Sequence, residues 1–466
     1  MVAKKQIHLV VLGGGPGGYE AAHSAARLGA KVTLVERQGI GGSAVLSDVV
    51  PSKTLIAASD LIAKAKEAQT MGLLKEGQTL NINGKTLTEV NKRLIALAKS
   101  QSEDIENDIK KYGVEVIKGE GKLIDPHTIE VDVESGGTTR LDADYILLAV
   151  GGSPRELDSS KPDGKRIFNW TQLYTMTELP EHLIVIGSGV TGAEFASAYT
   201  GLGVKVTLIS SRAQVLPGED SDAAKVLEES LGRRGLRVVP SSRAEKVEAT
   251  DDGVTVTLTN GLTVEGSHCL VAVGAIPNTA GLNLEENGID LAKSGHIEID
   301  SVSRTSVSHI YAAGDCTGVF PLASVAAMQG RVAVAHIMGD AVKPLDLSKV
   351  ASNIFTNPEI ASVGITEKDI TEGTVSADVF SLPLANNARA KMLDISEGFV
   401  KLFARRGSGT VIGGVVVGPS ASELIFPIAL AVTNRLTVDQ LAETFTVFPS
   451  LTGSITEAGR RLHKKL

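Results

Sequence analysis

Short, almost unbroken apolar runs that stop at glycine recur along the chain: LVVLGGG (9–15), YILLAVGG (145–152), LIVIGSG (183–189) and CLVAVGA (269–275). Runs of this length bounded by glycine read as strands buried on both faces of a parallel sheet. The first and third are followed by a helical stretch of small residues and then by β-branched strands, KVTLVE and KVTLIS. A further strand, HIYAA, leads into a Gly-Asp turn at Asp315. From about 346 the period changes to short strands, GFVKLFARR and VIGGVVVG, and to helices, SELIFPIALAVTNR and TVDQLAETF. The pattern predicts an α/β region and a separate C-terminal α+β domain.

The α/β region contains an internal repeat. VLGGGPGGYEAAHSAARLGAKVTLVER recurs 174 positions later as VIGSGVTGAEFASAYTGLGVKVTLISS, and one offset aligns Gly13, Gly15, Gly18 and Glu20 with Gly187, Gly189, Gly192 and Glu194. Strand, G-x-G-x-x-G, helix, strand is the context that gives this glycine pattern meaning. The first glycine permits a tight turn, the second lets a pyrophosphate approach the backbone, the third lets helix and strand pack closely, and the helix N-terminus favours phosphate. Two dinucleotide sites are therefore expected.

The copies differ where an adenosine ribose would lie. The first ends its second strand with Glu36, placed to accept ribose hydroxyl hydrogen bonds. The second has Ser210 there, followed by Ser211 and Arg212. Loss of the carboxylate removes repulsion against a 2′-phosphate, and Arg212 is placed to pair with one unless it is simply a solvated loop arginine. NADPH and NADH both remain open as the nucleotide.

Composition narrows the partners. The 466 residues are 42% hydrophobic and 21% charged, enough for two to four domains, and the net charge of -8 without a long basic stretch argues against nucleic acid. Two cysteines, Cys269 and Cys316, form no recognisable motif, and nine histidines show no metal-ligand spacing, so no metal site is expected. These features suit a reducing cytoplasm. MVAKKQIHLVVLGGG reads as a strand and not a signal peptide, and LIFPIALAV is too short to span a bilayer. Only the tail GRRLHKKL is basic, a solvated helix end or a weak contact for an anionic membrane surface.

GGGPGGYEAA with Glu36, the GGSAVLSDVVPSK loop (41–53), GSGVTGAEFA, AAGDCTG, FTNPEIASVGITE and GFVKLFARRGSGTVIGGVVVGPSASELI occur in that order over the whole chain. In these motifs the sequence resembles the flavoprotein disulfide reductases, dihydrolipoamide dehydrogenase above all. The resemblance implies two nested Rossmann-like domains and a C-terminal α+β dimerisation domain. The FAD domain would span 1–152 and 275–345, the NAD(P) domain 153–274 and the interface domain 346–466. It further implies FAD held by Gly13, Gly15, Gly18, Glu36, Gly121, Asp315 and Ala323, and a nicotinamide nucleotide held by Gly187, Gly189, Gly192 and Gly274, with Arg212 added from the ribose argument. Lys53 would lie near the reactive edge of the flavin and pair with Glu194.

Two departures change the expected chemistry. The family's loop reads Gly-Gly-x-Cys-x-x-x-x-Cys-x-Pro-Ser-Lys, whereas Ala44 and Val49 stand at the cysteine positions here. The family's His-Pro-Thr-x-x-Glu ending is replaced by Phe448-Pro449-Ser450-Leu451-Thr452-Gly453. Thiols, base and orienting carboxylate are absent together, which excludes dithiol exchange. The sequence thus resembles the disulfide-less NAD(P)H quinone reductase subgroup, and Ala44, Val49 and Phe448 either wall a pocket for a flat quinone or simply fill vacated space. A pyridine nucleotide transhydrogenase and a flavin-bound regulatory protein are the alternatives. The resemblance implies a homodimer without stable membrane insertion.

Overall fold

The computed structural model of the chain describes residues 6–66 and 85–463; the first five residues and the last three of the basic tail lie outside the described residues. Two compact units emerge, one of Met1–Thr54, Glu89–Arg155 and Gly274–Leu345, the other of Leu55–Thr88, Glu156–Val273 and Asp346–Leu466.

The first unit is built on a seven-stranded sheet in the order Ile310–Ala312, Tyr145–Leu148, His8–Leu12, Lys31–Glu36, Glu115–Asp125, Thr128–Val133 and Thr138–Asp142. The first five strands are parallel and the last two extend the sheet as an antiparallel meander. Alternation explains the unbroken apolar run: Leu9 and Val11 point into one core with Ala21, Ala22 and Leu147, while Val10 and Leu12 point into the other with Leu123, Ile146 and Leu148. The helices Pro16–Arg27 and Ala323–Met338 meet so closely that a Cβ on Gly330 would lie 2.2 Å from the Gly17 carbonyl oxygen. Where the chain leaves and re-enters this unit, Gly152–Pro154 pairs antiparallel with Ala275–Pro277.

The second unit repeats the parallel architecture with Arg237–Val239, Lys205–Ile209, His182–Ile186, His268–Val271 and Ile167–Asn169. The repeat survives in detail. The helix Val190–Gly201 is displaced from Pro16–Arg27 by the same 174 positions at both ends. His8 Nε2 lies 3.0 Å from Thr33 Oγ1, and His182 Nε2 lies 2.9 Å from Thr207 Oγ1. The C-terminal α+β part is an antiparallel sheet in the order Ala351–Ile354, Glu359–Gly364, Val411–Gly418, Phe399–Arg405 and Ala377–Pro383. Its helices Ala421–Asn434, Val438–Glu443 and Gly453–Leu462 share one apolar core with these strands.

One buried charge joins the two parts of this unit. Lys401, with its side chain 2% exposed, donates to both oxygens of Asp220 (3.0 and 2.8 Å), to Asp222 Oδ2 (2.7 Å) and to Glu367 Oε2 (3.2 Å). Asp220 also caps the helix Ser221–Arg233 by accepting the N–H groups of Asp222 and Ala223. Burial by itself lowers the lysine pKa, but the hydrogen bonds to Asp220 and Asp222 outweigh it and raise the value above the ordinary 10.5. Because the folded-state value is the higher one, this stabilisation is complete at neutral pH and is lost only as pH rises through it. Lys401→Met should lower the unfolding free energy by roughly 3 kcal/mol, seen as a lower denaturant midpoint. Wild type should also lose stability above about pH 10 by more than the variant does; equal alkaline losses would count against the lysine.

Candidate active site

The two glycine-rich turns have nearly the same geometry. Gly13 and Gly187 have φ of +98° and +111°, and a Cβ on either would lie 2.2 Å from a carbonyl oxygen, that of Ala149 or Ala272. A Cβ on Gly18 or Gly192 would lie 1.9 Å from the oxygen of Gly13 or Gly187. By contrast, a Cβ on Gly15 or Gly189 would meet nothing within 4 Å. The first and third glycines are thus required by packing within the protein, whereas the second opens onto space that a ligand can enter. Gly15 and Gly189 are also the N-caps of their helices, neither has a side-chain cap, and no acidic residue occupies either first turn. The helix amides and the positive end of the dipole are left for an anion, which fits a pyrophosphate at each turn.

Around the first turn, Glu36 Oε2 accepts the Gly14 N–H and its Oε1 the Gln38 N–H, both at 2.6 Å. Gly41 N donates to the Gly14 carbonyl at 2.7 Å, and a Cβ on Gly42 would lie 2.9 Å from Gly15 Cα. The segment 41–53 is therefore anchored against the first glycine-rich turn. It is mostly helical, contrary to the loop expected from its small residues: Ala44 lies in the short helix Gly42–Leu46 and Val49 opens the helix Val49–Lys66. Left-handed Gly41 and Gly42 make the chain reversal that lets the first helix start at once. Lys53 follows Val49 by one helical turn on the same face, and both are half-buried.

Asp315 follows the strand Ile310–Ala312 in a tight turn after left-handed Gly314. Its carboxyl is open to solvent yet set among enough surrounding protein that desolvation raises its pKa, with His296 opposing. The turn is held by Gln329, a buried side chain on the helix Ala323–Met338. Its oxygen accepts the Gly314 N–H at 2.8 Å and its nitrogen donates to Thr317 Oγ1 at 3.3 Å. Gln329 was missed in the sequence, although a lone amide in LASVAAMQGRVAVAHIMG is the signal that could have found it. Ala323 is the first residue of that helix. Gly121 is buried, and a Cβ there would lie 2.5 Å from Leu12 Cδ2, so packing in the core already favours glycine.

In the second unit Glu194 is 3% exposed on the helix Val190–Gly201 and accepts the Phe355 N–H at 2.8 Å. Ser210 is buried, whereas the Arg212 guanidinium is exposed and makes no hydrogen bond or ion pair with the described residues. Gly274 (φ +98°) accepts the Arg155 N–H at 2.9 Å at the start of the first unit's return segment. Phe448 is 85% exposed, next to exposed Phe445 and Val447, before the helix Gly453–Leu462.

Family models agree with this architecture. That of the pyridine nucleotide-disulphide oxidoreductases matches residues 7–330, and that of their dimerisation domain matches 350–459. The chain belongs to this pyridine nucleotide-disulphide oxidoreductase family and is a flavoprotein oxidoreductase. Family members use FAD and NAD(P)H, which the paired turns fit. The chain is 52% identical to an NAD(P)H dehydrogenase (quinone) of Mycobacterium tuberculosis over 463 residues, covering 97% of this chain and 93% of that protein. It is 35% identical to a dihydrolipoyl dehydrogenase of Geobacillus stearothermophilus over 445 residues, 95% of this chain and 93% of the relative. The crystal structure of LpdA from M. tuberculosis superimposes with a TM-score of 0.94 at 52% identity, over 98% of this chain and 100% of that one. No helix among the described residues is long and apolar enough to cross a membrane.

Neither cysteine can supply the family's thiol chemistry. Cys269 and Cys316 are both fully buried, and burial pushes both thiols upward, Cys316 to about 12. Native protein near neutral pH should therefore take up no iodoacetamide in a time that labels both cysteines of the unfolded chain; rapid labelling of the native fold would show a thiol that the burial does not allow.

Proposed function

We propose that this chain is an NAD(P)H:quinone oxidoreductase that acts without a redox disulfide. The overall reaction is NAD(P)H plus quinone plus one proton giving NAD(P)⁺ plus quinol. The observation that carries the reading is the pair Ala44 and Val49, half-buried side chains beside an intact phosphate-binding turn, at the positions where the family's cysteines would receive electrons. The Mycobacterium relative's name supports the choice of acceptor. A cytoplasmic setting belongs to the same reading.

FAD, when bound, accepts hydride and returns the two electrons to the acceptor. The first turn, Glu36, Gly121 and Asp315 would hold its adenosine and ribityl parts, and Gly187, Gly189, Gly192, Arg212 and Gly274 the nicotinamide nucleotide. Lys53 would supply positive charge to stabilise the reduced flavin, and the N-terminal end of the helix at Ala323, with no acid in its first turn, would add to it. Glu194, held by the Phe355 amide, is assigned to the same step by the resemblance to the family. Apolar Ala44 and Val49 exclude water and suit a flat acceptor.

Anaerobic stopped-flow mixing with NADPH or NADH, then with quinones or lipoamide, tests the reading. Reduced protein should be reoxidised by quinone and not by lipoamide. Turnover of lipoamide would overturn it, efficient transfer to a second nicotinamide without quinone would make the protein a transhydrogenase, and sluggish reoxidation by every acceptor would make it regulatory. Lys53→Met should slow reduction by about tenfold or more, with Glu194→Gln slower than wild type by a smaller factor. Wild-type rates in both would make the pair structural.

Exposed Phe445, Val447, Phe448, Phe426 and Leu430 within the dimerisation-domain match support a two-fold homodimer in which Phe448 of one protomer helps wall the quinone pocket of its partner. Sedimentation should give a dimer, and Phe448→Ala should raise the quinone KM severalfold without slowing reduction by NADPH. A fully active monomer would refute the shared pocket.

A further inference from the structure

The two glycine-rich turns differ at a pair of positions that touch each other. In the first turn Glu36 Oε2 accepts the Gly14 N–H at 2.6 Å. A Cβ added to Gly14 would lie 3.1 Å from that oxygen and 2.9 Å from Ile40 Cδ1. A side chain at position 14 would therefore crowd a carboxylate at position 36, which would have to shift to admit it. The offset of 174 places Ser188 and Ser210 at the equivalent positions of the second turn. Shortening Glu to Ser vacates the space, and the Ser188 side chain fills it: the two hydroxyl oxygens are 2.7 Å apart, and the residues are 6% and 0% exposed.

The hydrogen-bond inventory is satisfied when Ser188 is the donor of this pair. Ser210 has one proton and two acceptor sites. It donates to the Arg212 carbonyl at 2.8 Å, with the Gln214 carbonyl farther off at 3.4 Å, and accepts the Arg212 N–H at 3.1 Å. Its remaining acceptor site takes the proton of Ser188. The Arg212 carbonyl also accepts the Ser241 N–H at 2.9 Å. Both backbone polar groups of Arg212 are thereby held, while its guanidinium stands exposed and unpaired among the described residues. A cation projecting from a fixed backbone, with no carboxylate at the strand end, suits an added phosphate on the adenosine ribose.

We propose that Ser188 is a positioning residue for the nucleotide's 2′-phosphate, acting through Ser210 on Arg212. Ser188 and Ser210 form one specificity unit, the counterpart of the Gly14–Glu36 contact in the first turn. The inference deepens the nicotinamide-nucleotide half of the proposed function and rests on that half, not on the quinone.

The test is isothermal titration of the FAD-loaded protein with 2′,5′-ADP and 5′-ADP, which lack nicotinamide and so report binding without turnover. Wild type should prefer 2′,5′-ADP. Ser188→Gly should weaken 2′,5′-ADP by about fivefold and 5′-ADP much less, because only the former meets Arg212. Ser210→Glu alone should weaken both probes, having no room beside Ser188. The double variant S188G/S210E should recover 5′-ADP binding to at least the wild-type level and lose most affinity for 2′,5′-ADP, a non-additive result. Additive effects, or equal weakening of both probes by Ser188→Gly, would overturn the coupling. Failure of wild type to bind either probe would overturn it together with the nucleotide assignment. Normal probe binding in protein that reduces no quinone would defeat the quinone reading and leave this inference standing.

Discussion

In each glycine-rich turn, the carbonyl of the first glycine occupies the place where a side chain on the third would begin. That steric exclusion brings a strand end and a helix start close enough for the helix's first amides to open onto solvent beside the second glycine. Much else follows from it. Segment 41–53 lies against the first turn where Gly42 comes within reach of Gly15, and the Asp315 turn is brought in by the helix that packs on Gly17 through Gly330. The two sites share this frame and differ in what stands at its rim, a carboxylate in one and a pair of hydroxyls in the other.

Much of this was legible in the sequence because it is local. The apolar runs ending in glycine, the 174-residue offset and the change of period near 346 are properties of contiguous residues, and the strands and helices fall where those patterns put them. The helical state of 42–46 and 49–53 was not legible, since small residues flanked by glycine carry little helical period. Polar partnerships across the fold left still less trace. Gln329 is visible as an odd amide in an apolar helix, but the Gly314 N–H that it satisfies is not. Lys401 is visible as a charge within GFVKLFARR, yet its carboxylates lie up to 181 residues away. Periodicity reports which face is buried and does not say which buried polar group meets which.

Losses of chemistry in this chain are correlated in the same physical sense as its packing. A surviving histidine at 448 would be a base without a thiol to deprotonate, and surviving cysteines would be thiols without a base. Their joint replacement by Ala44, Val49, Phe448 and Gly453 leaves no stranded ionisable group at those positions. The glycine framework imposes no such link on the thiols, which is why dinucleotide architecture can persist after the disulfide has gone.

The Lys401 cluster separates two meanings of the word domain. By family, the boundary falls between 330 and 350, and the C-terminal sheet is a module of its own. By energy, that sheet and the second nucleotide fold belong to one unit, because Asp220 both caps a helix of the latter and neutralises a lysine buried in the former. A fragment cut at the family boundary would carry Lys401 into isolation with two of its four carboxylate contacts, those to Asp220, removed along with that to Asp222. Recombination of such modules between relatives is thus constrained less by the linker than by whether both parents place opposite charges at this junction.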